Sequence, residues 1–248
     1  MEDKINLGES ENPQNEAPPV EICLPQEFVR FSPLQRIEHL SVMIFFLVLV
    51  ITGLPQEFFE NPWAAWIIVR LGGIDTTRFI HRIFGILFAA LAVWHLGRVT
   101  LLVILIKARP SMIPTFKDFS DAVGILKYYL GLSKEQPKFD RYDYRQKFEY
   151  WGLMIGGIIM IVTGFILYLP VFFTKLLPGV IIPVAKFVHG YEALLAFLVI
   201  IIWHMYGAHF NPGAFPFDSS IFTGKISRER MEKEHSQELA RLLRSWKR

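Results

Sequence analysis

Between Tyr150 and Thr174 lie 25 consecutive residues without an aspartate, glutamate, lysine or arginine. A helix of about 20 apolar residues crosses the roughly 30 Å hydrocarbon core of a bilayer. The run is too long for an ordinary core helix and long enough to span a membrane. It belongs to an apolar segment at about 148–169, and three more segments of similar reach lie at about 36–54, 79–106 and 184–209. Backbone groups in lipid must pair within their own segment, so helices are the expected form. The fold expected is therefore all-α, an integral membrane four-helix bundle. Composition agrees: 52% of the 248 residues are hydrophobic and the mean hydropathy is +0.33, which excludes a soluble enzyme, a disordered chain and a nucleic-acid-binding domain. The pI of about 8.9 then reflects basic loops beside the spans and does not point to nucleic acid as a partner.

Lysine and arginine orient the helices. The chain up to Arg36, the 98–147 segment and the chain after 209 hold 21 of them, and the two remaining loops hold five. By the positive-inside rule both termini and the middle loop face the cytoplasm, in the inner membrane of a cell. Trp63, Trp66 and Phe58-Phe59 in the first outer loop suit an interfacial aromatic belt or a partner contact. Residues 1–27 carry seven acidic residues, one lysine and no apolar run, so a solvated tail is expected there, not a cleavable leader. Asp118 to Leu132 has apolar residues at helical spacing (Phe119, Val123, Leu126, Tyr129, Leu130). Ser227 can cap a helix to Trp246 with Met231, Leu239, Leu242, Leu243 and Trp246 on one face. Both are expected to lie amphipathically on the cytoplasmic interface, in contact with membrane lipid, with docking of a soluble partner as the alternative. The organisation expected is a disordered tail over 1–30, the transmembrane domain over 31–226 and one amphipathic helix over 227–248.

The four spans are two copies of one helix pair. Gln35-Arg36-x-Glu38-His39 precedes Thr52-Gly53, and Gln146-Lys147-x-Glu149-Tyr150 precedes Thr163-Gly164 at the same interval. Phe79-Ile80-His81 and Trp94-His95 correspond to Phe187-Val188-His189 and Trp203-His204, with one extra residue in the fourth helix. Both copies run in the same direction, so the axis relating them lies along the membrane normal.

The single Cys23 excludes iron–sulfur clusters, covalent haem attachment and intrachain disulfides. Any redox cofactor must rest on the histidines or be bound non-covalently. Six of the seven lie in or at the ends of spans: His39, His81, His95, His189, His204 and His209. Ionisable groups there are functional candidates. His235 lies in the polar tail, where a solvated side chain is expected. His81 and His189 begin their helices near the outer face, while His95 and His204 follow 14 and 15 residues later, about 21–23 Å deeper and on nearly the same helix face. His39 shares that inner depth. Zinc would want four clustered ligands, and copper or di-iron sites would want thiols or carboxylates at the same depth, where few occur. Paired imidazoles from facing helices suit six-coordinate haem b, one site near each membrane face. Gly85, Ala89, Ala90, Ala92, Gly156 and Gly157 could admit a haem face or simply let helices pack closely.

The ordered set Arg36-x-x-His39, Thr52-Gly53, His81-x-x-x-Gly85, Tyr142, Gln146-Lys147, Trp151, Thr163-Gly164, His189, His204-Met-Tyr and Gly224-Lys225-Ile226-Ser227 resembles the two-haem cytochrome b subunits that anchor formate dehydrogenases and nickel–iron hydrogenases. The formate dehydrogenase gamma subunit is the nearest match, over about residues 28–235. The resemblance implies that His81 and His189 ligate an outer haem and His39 and His204 an inner one, with Arg36 near the inner propionates. The sequence departs from that pattern at His95, His209 and the 15-residue His189–His204 step. The repeat itself suggests His95 with His204 as the inner pair, in which respect the chain is similar to the cytochrome b of quinol:cytochrome c complexes. A third haem using both spare histidines is the remaining alternative.

The function so implied is electron transfer across the membrane between an outer-face redox partner and the quinone pool. The partner would be a catalytic, multihaem or iron–sulfur subunit, and the quinone menaquinone or ubiquinone. The resemblance puts the quinone between the inner haem and the loop Tyr142-Asp143-Tyr144-Arg145-Gln146-Lys147, where Asp143 could relay protons. A stand-alone transmembrane haem b reductase of an external small acceptor is the alternative, and a haem-free transporter a third.

Overall fold

The computed structural model describes residues 25–211 and 213–246. The expected tail over 1–24 and the Trp246 side chain lie outside the described residues. In chain order the elements are β1 (Glu27–Val29), α1 (Pro33–Glu57), α2 (Pro62–Arg70), α3 (Ile74–Leu105), α4 (Phe116–Tyr129), α5 (Tyr144–Tyr168), α6 (Pro170–Leu176), α7 (Ile181–Leu198), α8 (Ser220–Thr223), β2 (Lys225–Ser227), α9 (Arg228–Glu234) and α10 (Ser236–Trp246). A π-helical stretch continues α7 over Val199–His204 and Tyr206–Phe210.

Four helices are long and apolar enough to cross a membrane: Pro33–Glu57, Ile74–Leu105, Tyr144–Tyr168 and Ile181–Phe210. The repeat is written into their starts. Ser32 accepts the Gln35 N–H and Gln35 returns a bond to the Ser32 N–H, closing a capping box. Asp143 and Gln146 do the same for α5. The repeated glutamine is thus a helix-start device. α1 packs on α3 and α5 on α7, one pair per repeat, and the pairs meet through α1–α7 and α3–α5. Large apolar side chains such as Leu47, Val93 and Ile202 stay exposed on the bundle's outside, where lipid is the compatible solvent.

The fourth span carries the extra residue of the repeat. In a regular α-helix 15 residues overshoot four turns by about 60°. The π-helical stretch, with its wider turn, absorbs the insertion and keeps His204 facing the bundle.

Short proline-initiated helices follow both odd spans, α2 after α1 and α6 after α5. Trp63, Trp66 and Phe59 are exposed on and beside α2, and Arg70 lies 5.4 Å from the Trp66 ring centre, an arrangement compatible with an interfacial belt. Consecutive Gly72 and Gly73 both adopt φ +93°, a conformation side chains resist, and turn the chain sharply into α3. α4 holds its polar side against the protein: Lys147 bonds Asp118 at 2.8 Å, and buried Asp121 pairs with Lys117. Its Phe116, Phe119 and Leu126 face outward, the reverse of a helix in water.

The end of the bundle where α1 begins is closed by a small polar-framed cap built from β1, β2, α9 and α10, which corrects three expectations. Residues 27–29 are not tail but a strand, paired antiparallel with β2 in the register Phe28↔Ile226. The segment after Ser227 is not one helix but two, broken at His235, whose backbone leaves helical geometry. Met231 and Leu239 pack with Phe28 and Ile226 into a local core, so that face serves the protein itself before lipid. His235 is buried rather than solvated, and its Nδ1–H donates to the Asp140 carbonyl at 2.9 Å. Around it Glu238 receives Arg30 (2.9 Å) and Arg141 (2.6 Å), and Asp140 receives Arg241 through two bonds.

Burial, reinforced by Arg30, holds the His235 imidazole below its ordinary value of 6.5. The unfolded cap then binds the proton more readily than the folded one, so stability is full above the ordinary value and falls as pH drops below it. Limited proteolysis of the cap is expected to be faster at about pH 5.5 than at about pH 7.5. His235→Asn keeps a donor for Asp140 and should flatten that step.

Candidate functional site

Near the end of the bundle away from the cap, α3 and α7 bring His81 and His189 together with ring centres 6.3 Å apart. Each imidazole is gripped the same way. Thr52 Oγ1 donates its one hydrogen to the Val48 carbonyl at 2.7 Å and so meets His81 Nδ1 as an acceptor at 2.9 Å. Thr163 Oγ1 donates to the Ile159 carbonyl at 2.7 Å and meets His189 Nδ1 at 2.9 Å. That assigns the proton to Nδ1 in both rings and leaves Nε2 with its lone pair free for a metal. The glycine after each threonine makes room for the ring. A Cβ on Gly53 would lie 2.9 Å from His81 Cε1, and one on Gly164 would lie 3.3 Å from His189 Cε1. Thr-Gly, visible in sequence only as a repeated dipeptide, is the histidine holder.

The difference between the two glycines is testable. Gly53→Ala is expected to displace the His81 ring and cost about 1–3 kcal/mol, as overpacking does. Gly164→Ala needs a shift of a few tenths of an ångström and should cost less. Thermal unfolding of the two variants would compare them directly.

Toward the cap, His39 of α1 faces His204 with ring centres 6.2 Å apart. Glu149 Oε2 accepts His204 Nδ1–H at 3.0 Å. His95 stands apart from this pair: its Nδ1 meets Glu38 at 3.2 Å and its Nε2 meets the Tyr150 hydroxyl at 3.0 Å, so both nitrogens are engaged. The repeat explains the contrast. Glu38-His39 corresponds to Glu149-Tyr150, so one diagonal of the bundle places imidazole against imidazole and the other places phenol against imidazole. Glu38 is buried and also receives Trp94 at 3.2 Å and Arg98 at 2.7 and 2.6 Å. His209 stacks flat on Phe217, 4.6 Å between centres, and its Nδ1 accepts the Asp218 N–H.

Arg36 and His39 line a cavity of about 270 Å³ with Leu40, Met43, Ile221 and Phe222. Arg36 donates to the Phe222 carbonyl through Nη2, but its Nε is the one buried side-chain polar atom among the described residues without a partner. An anionic group beside His39 would satisfy it. Asp143 is differently placed. One oxygen caps α5 through the Gln146 N–H and the other receives Arg145, so this carboxylate is engaged at the helix start. Of the small residues, Gly156 is covered by Glu192 and Gly157 by Phe88, and Ala90 points outward; Gly85 faces open space.

Among the described residues no group of three or more His, Cys, Asp or Glu side chains is arranged to hold a metal. The site offers paired imidazoles instead. An imidazole nitrogen binds a first-row ion at about 2 Å, so two facing rings with centres about 6 Å apart, as in both pairs, would leave room to hold one ion between them. Facing imidazoles at each site, three of the four rings (His81, His189 and His204) held through Nδ1, and the unpartnered Nε of Arg36 beside the inner pair fit bis-histidine haem with its carboxylates. The threonines, Glu149 and Tyr150 escape a search for ligands, because they act one contact further out. Their signal is their repetition at fixed intervals.

A family model described as prokaryotic cytochrome b561 matches residues 30–214. The chain is 25% identical over 207 residues to the nitrate-inducible formate dehydrogenase cytochrome b556 subunit of Escherichia coli K12, covering 84% of this chain and 88% of that protein. It is 25% identical to the formate dehydrogenase cytochrome b556 subunit of Haemophilus influenzae over 79% of this chain and 76% of the relative. A second Escherichia coli K12 formate dehydrogenase cytochrome b556 subunit matches at 25% identity over 73% of this chain and 78% of its own length.

Proposed function

The chain belongs to the prokaryotic cytochrome b561 family, and from that premise we propose that it is the membrane cytochrome b subunit of a formate dehydrogenase-like or other quinone-linked oxidoreductase complex. It carries electrons between an outer-face catalytic, multihaem or iron–sulfur subunit and the quinone pool, with two bis-histidine haem b groups as carriers. The observation that carries this reading is the pair of facing imidazoles at each end of the bundle, 6.3 and 6.2 Å apart. The relatives, each a cytochrome subunit of a formate dehydrogenase, support a partner-bound role.

Haem b supplies, when bound, the one-electron chemistry that no side chain here offers. The protein's part is positional. Thr52 and Thr163 hold His81 and His189 in the ligating tautomer at the outer site. His39 and His204 serve the inner site, and Arg36 offers its unpaired Nε to carboxylates there. His95, with both nitrogens bonded, is a member of the Glu38–Tyr150 network and would not hold the haem. The capped end faces the cytoplasm, as the 21-to-5 division of basic residues favours. Quinone meets the inner site beside the loop leading into α5, with Asp143 as the helix cap that shapes it. α4 lies in the lipid interface on the same side, its apolar stripe toward the acyl chains.

A reduced-minus-oxidised spectrum of the protein purified from membranes, with haem quantification, tests this. About two low-spin b haems per chain and a copurifying catalytic subunit are expected. Protein that is folded and free of haem would overturn the reading.

A further inference from the structure

The two sites are held by chemically different hands. At the outer site both histidines are bonded through Nδ1 to neutral threonine hydroxyls, each at 2.9 Å. At the inner site His204 is bonded through Nδ1 to a carboxylate, Glu149, at 3.0 Å. A carboxylate pulls the Nδ1 proton toward itself and makes the other ring nitrogen a stronger donor to a metal than a hydroxyl does.

The repeat provides an internal control. Glu38, one repeat earlier, reaches His95 Nδ1 in the same way, at 3.2 Å. Arg98 clamps both Glu38 oxygens, so that charge is neutralised within the cluster. With Trp94-His95 aligned on Trp203-His204, the counterpart of Arg98 is Gly207. A Cβ on Gly207 would lie 3.6 Å from Glu149 Oε1, so the missing arginine would have stood beside this carboxylate. Lys147, two residues away, is engaged by Asp118 instead. Among the described residues Glu149 has no lysine or arginine partner, and its ion pair is with His204 alone.

We propose that Glu149 is a positioning residue that sets the redox poise of the inner site: its uncompensated carboxylate on His204 Nδ1 strengthens the other ring nitrogen as a donor and so favours oxidised iron there. This rests on the two-haem reading of the function. The outer site, held by threonines, lacks that bias. The electrical asymmetry between the sites is thereby built from one carboxylate and the absence of one arginine.

Potentiometric titration of the full chain purified from membranes, followed by haem difference spectra, reads the effect. Glu149→Gln keeps a hydrogen-bond acceptor and removes the charge. Both haems should remain, and the inner component's preference for the oxidised state should weaken tenfold or more, a rise of about 59 mV per tenfold for a one-electron couple. The outer component should not move. Glu149→Asp should return the potential most of the way. Gly207→Arg restores the missing counterpart of Arg98 without altering Glu149 or His204, and should raise the same component. Two haems with unmoved potentials in Glu149→Gln overturn the proposal and leave the functional reading standing. Loss of the inner haem in Glu149→Gln with an unmoved potential in Gly207→Arg makes Glu149 merely structural and also overturns it. No haem in the unaltered protein overturns the functional reading and this proposal together.

Discussion

Replacing His189 with alanine is expected to take the purified protein from about two haems per chain to about one and to bring electron transfer to quinone down to background. The remaining haem should keep the spectrum of the inner component. The size of the effect follows from ligand count. Each site offers two imidazoles, and among the described residues no third His, Cys, Asp or Glu side chain stands by to replace a lost one. His81→Ala should give the same result, since Thr52 and Thr163 hold the two rings equivalently. His39→Ala and His204→Ala should remove the inner component instead. His95→Ala should leave both haems in place, because its nitrogens belong to Glu38 and Tyr150. Retention of two low-spin haems in His39→Ala, with loss in His95→Ala, would reverse the inner assignment. The fold should survive all five changes, because the α1–α3 and α5–α7 contacts and the cap core involve many side chains besides these rings.

Arg98→Ala is expected to destabilise the protein by about 3–5 kcal/mol, the usual cost of leaving a buried charge without its partner. Glu38 is 7% exposed, and Arg98 supplies both of its shortest bonds, at 2.7 and 2.6 Å. Trp94 and His95, both at 3.2 Å, make longer single bonds that do not replace the two-pronged, permanently charged guanidinium. Adding Glu38→Gln to Arg98→Ala should recover much of the loss, since it removes the stranded charge while keeping an amide for Trp94 and His95. The single and double variants are compared by thermal unfolding in detergent, where a double variant no better than the single would rule out the buried-charge explanation. By contrast Lys225→Ala, which breaks an exposed pair with Glu27 in the cap, should leave the unfolding midpoint unchanged.

How far these sites were legible in advance differs residue by residue. His81, His189, His39 and His204 stand out because an imidazole is conspicuous in an apolar span, and helical rise converts their numbers into depths. Thr52-Gly53 and Thr163-Gly164 were visible as a repeat, but their purpose was not, since a hydroxyl gripping a ring 29 or 26 residues away leaves no local trace. The same holds for Asp143, which is conspicuous as a carboxylate beside a span and turns out to be a helix cap. His235 and the segment after Ser227 differ from expectation for a related reason. Their apolar face has ordinary amphipathic spacing, and nothing local says whether lipid or Phe28 will cover it. Arg30 and Glu238, which anchor that cap, are 208 residues apart.

The sequence by itself determined the four spans, their duplication and the two depths at which imidazoles stand, because each follows from a local period: charge-free length, a repeat interval and rise per residue. Only the tertiary structure decided which imidazoles face each other, which nitrogen His81, His189 and His204 leave free, and that Glu38 has an arginine partner while Glu149 has none. Those depend on which helix faces which and on a π-helical turn that rotates His204 into place. Packing geometry of that kind is set by the whole bundle and is carried by no single stretch of chain.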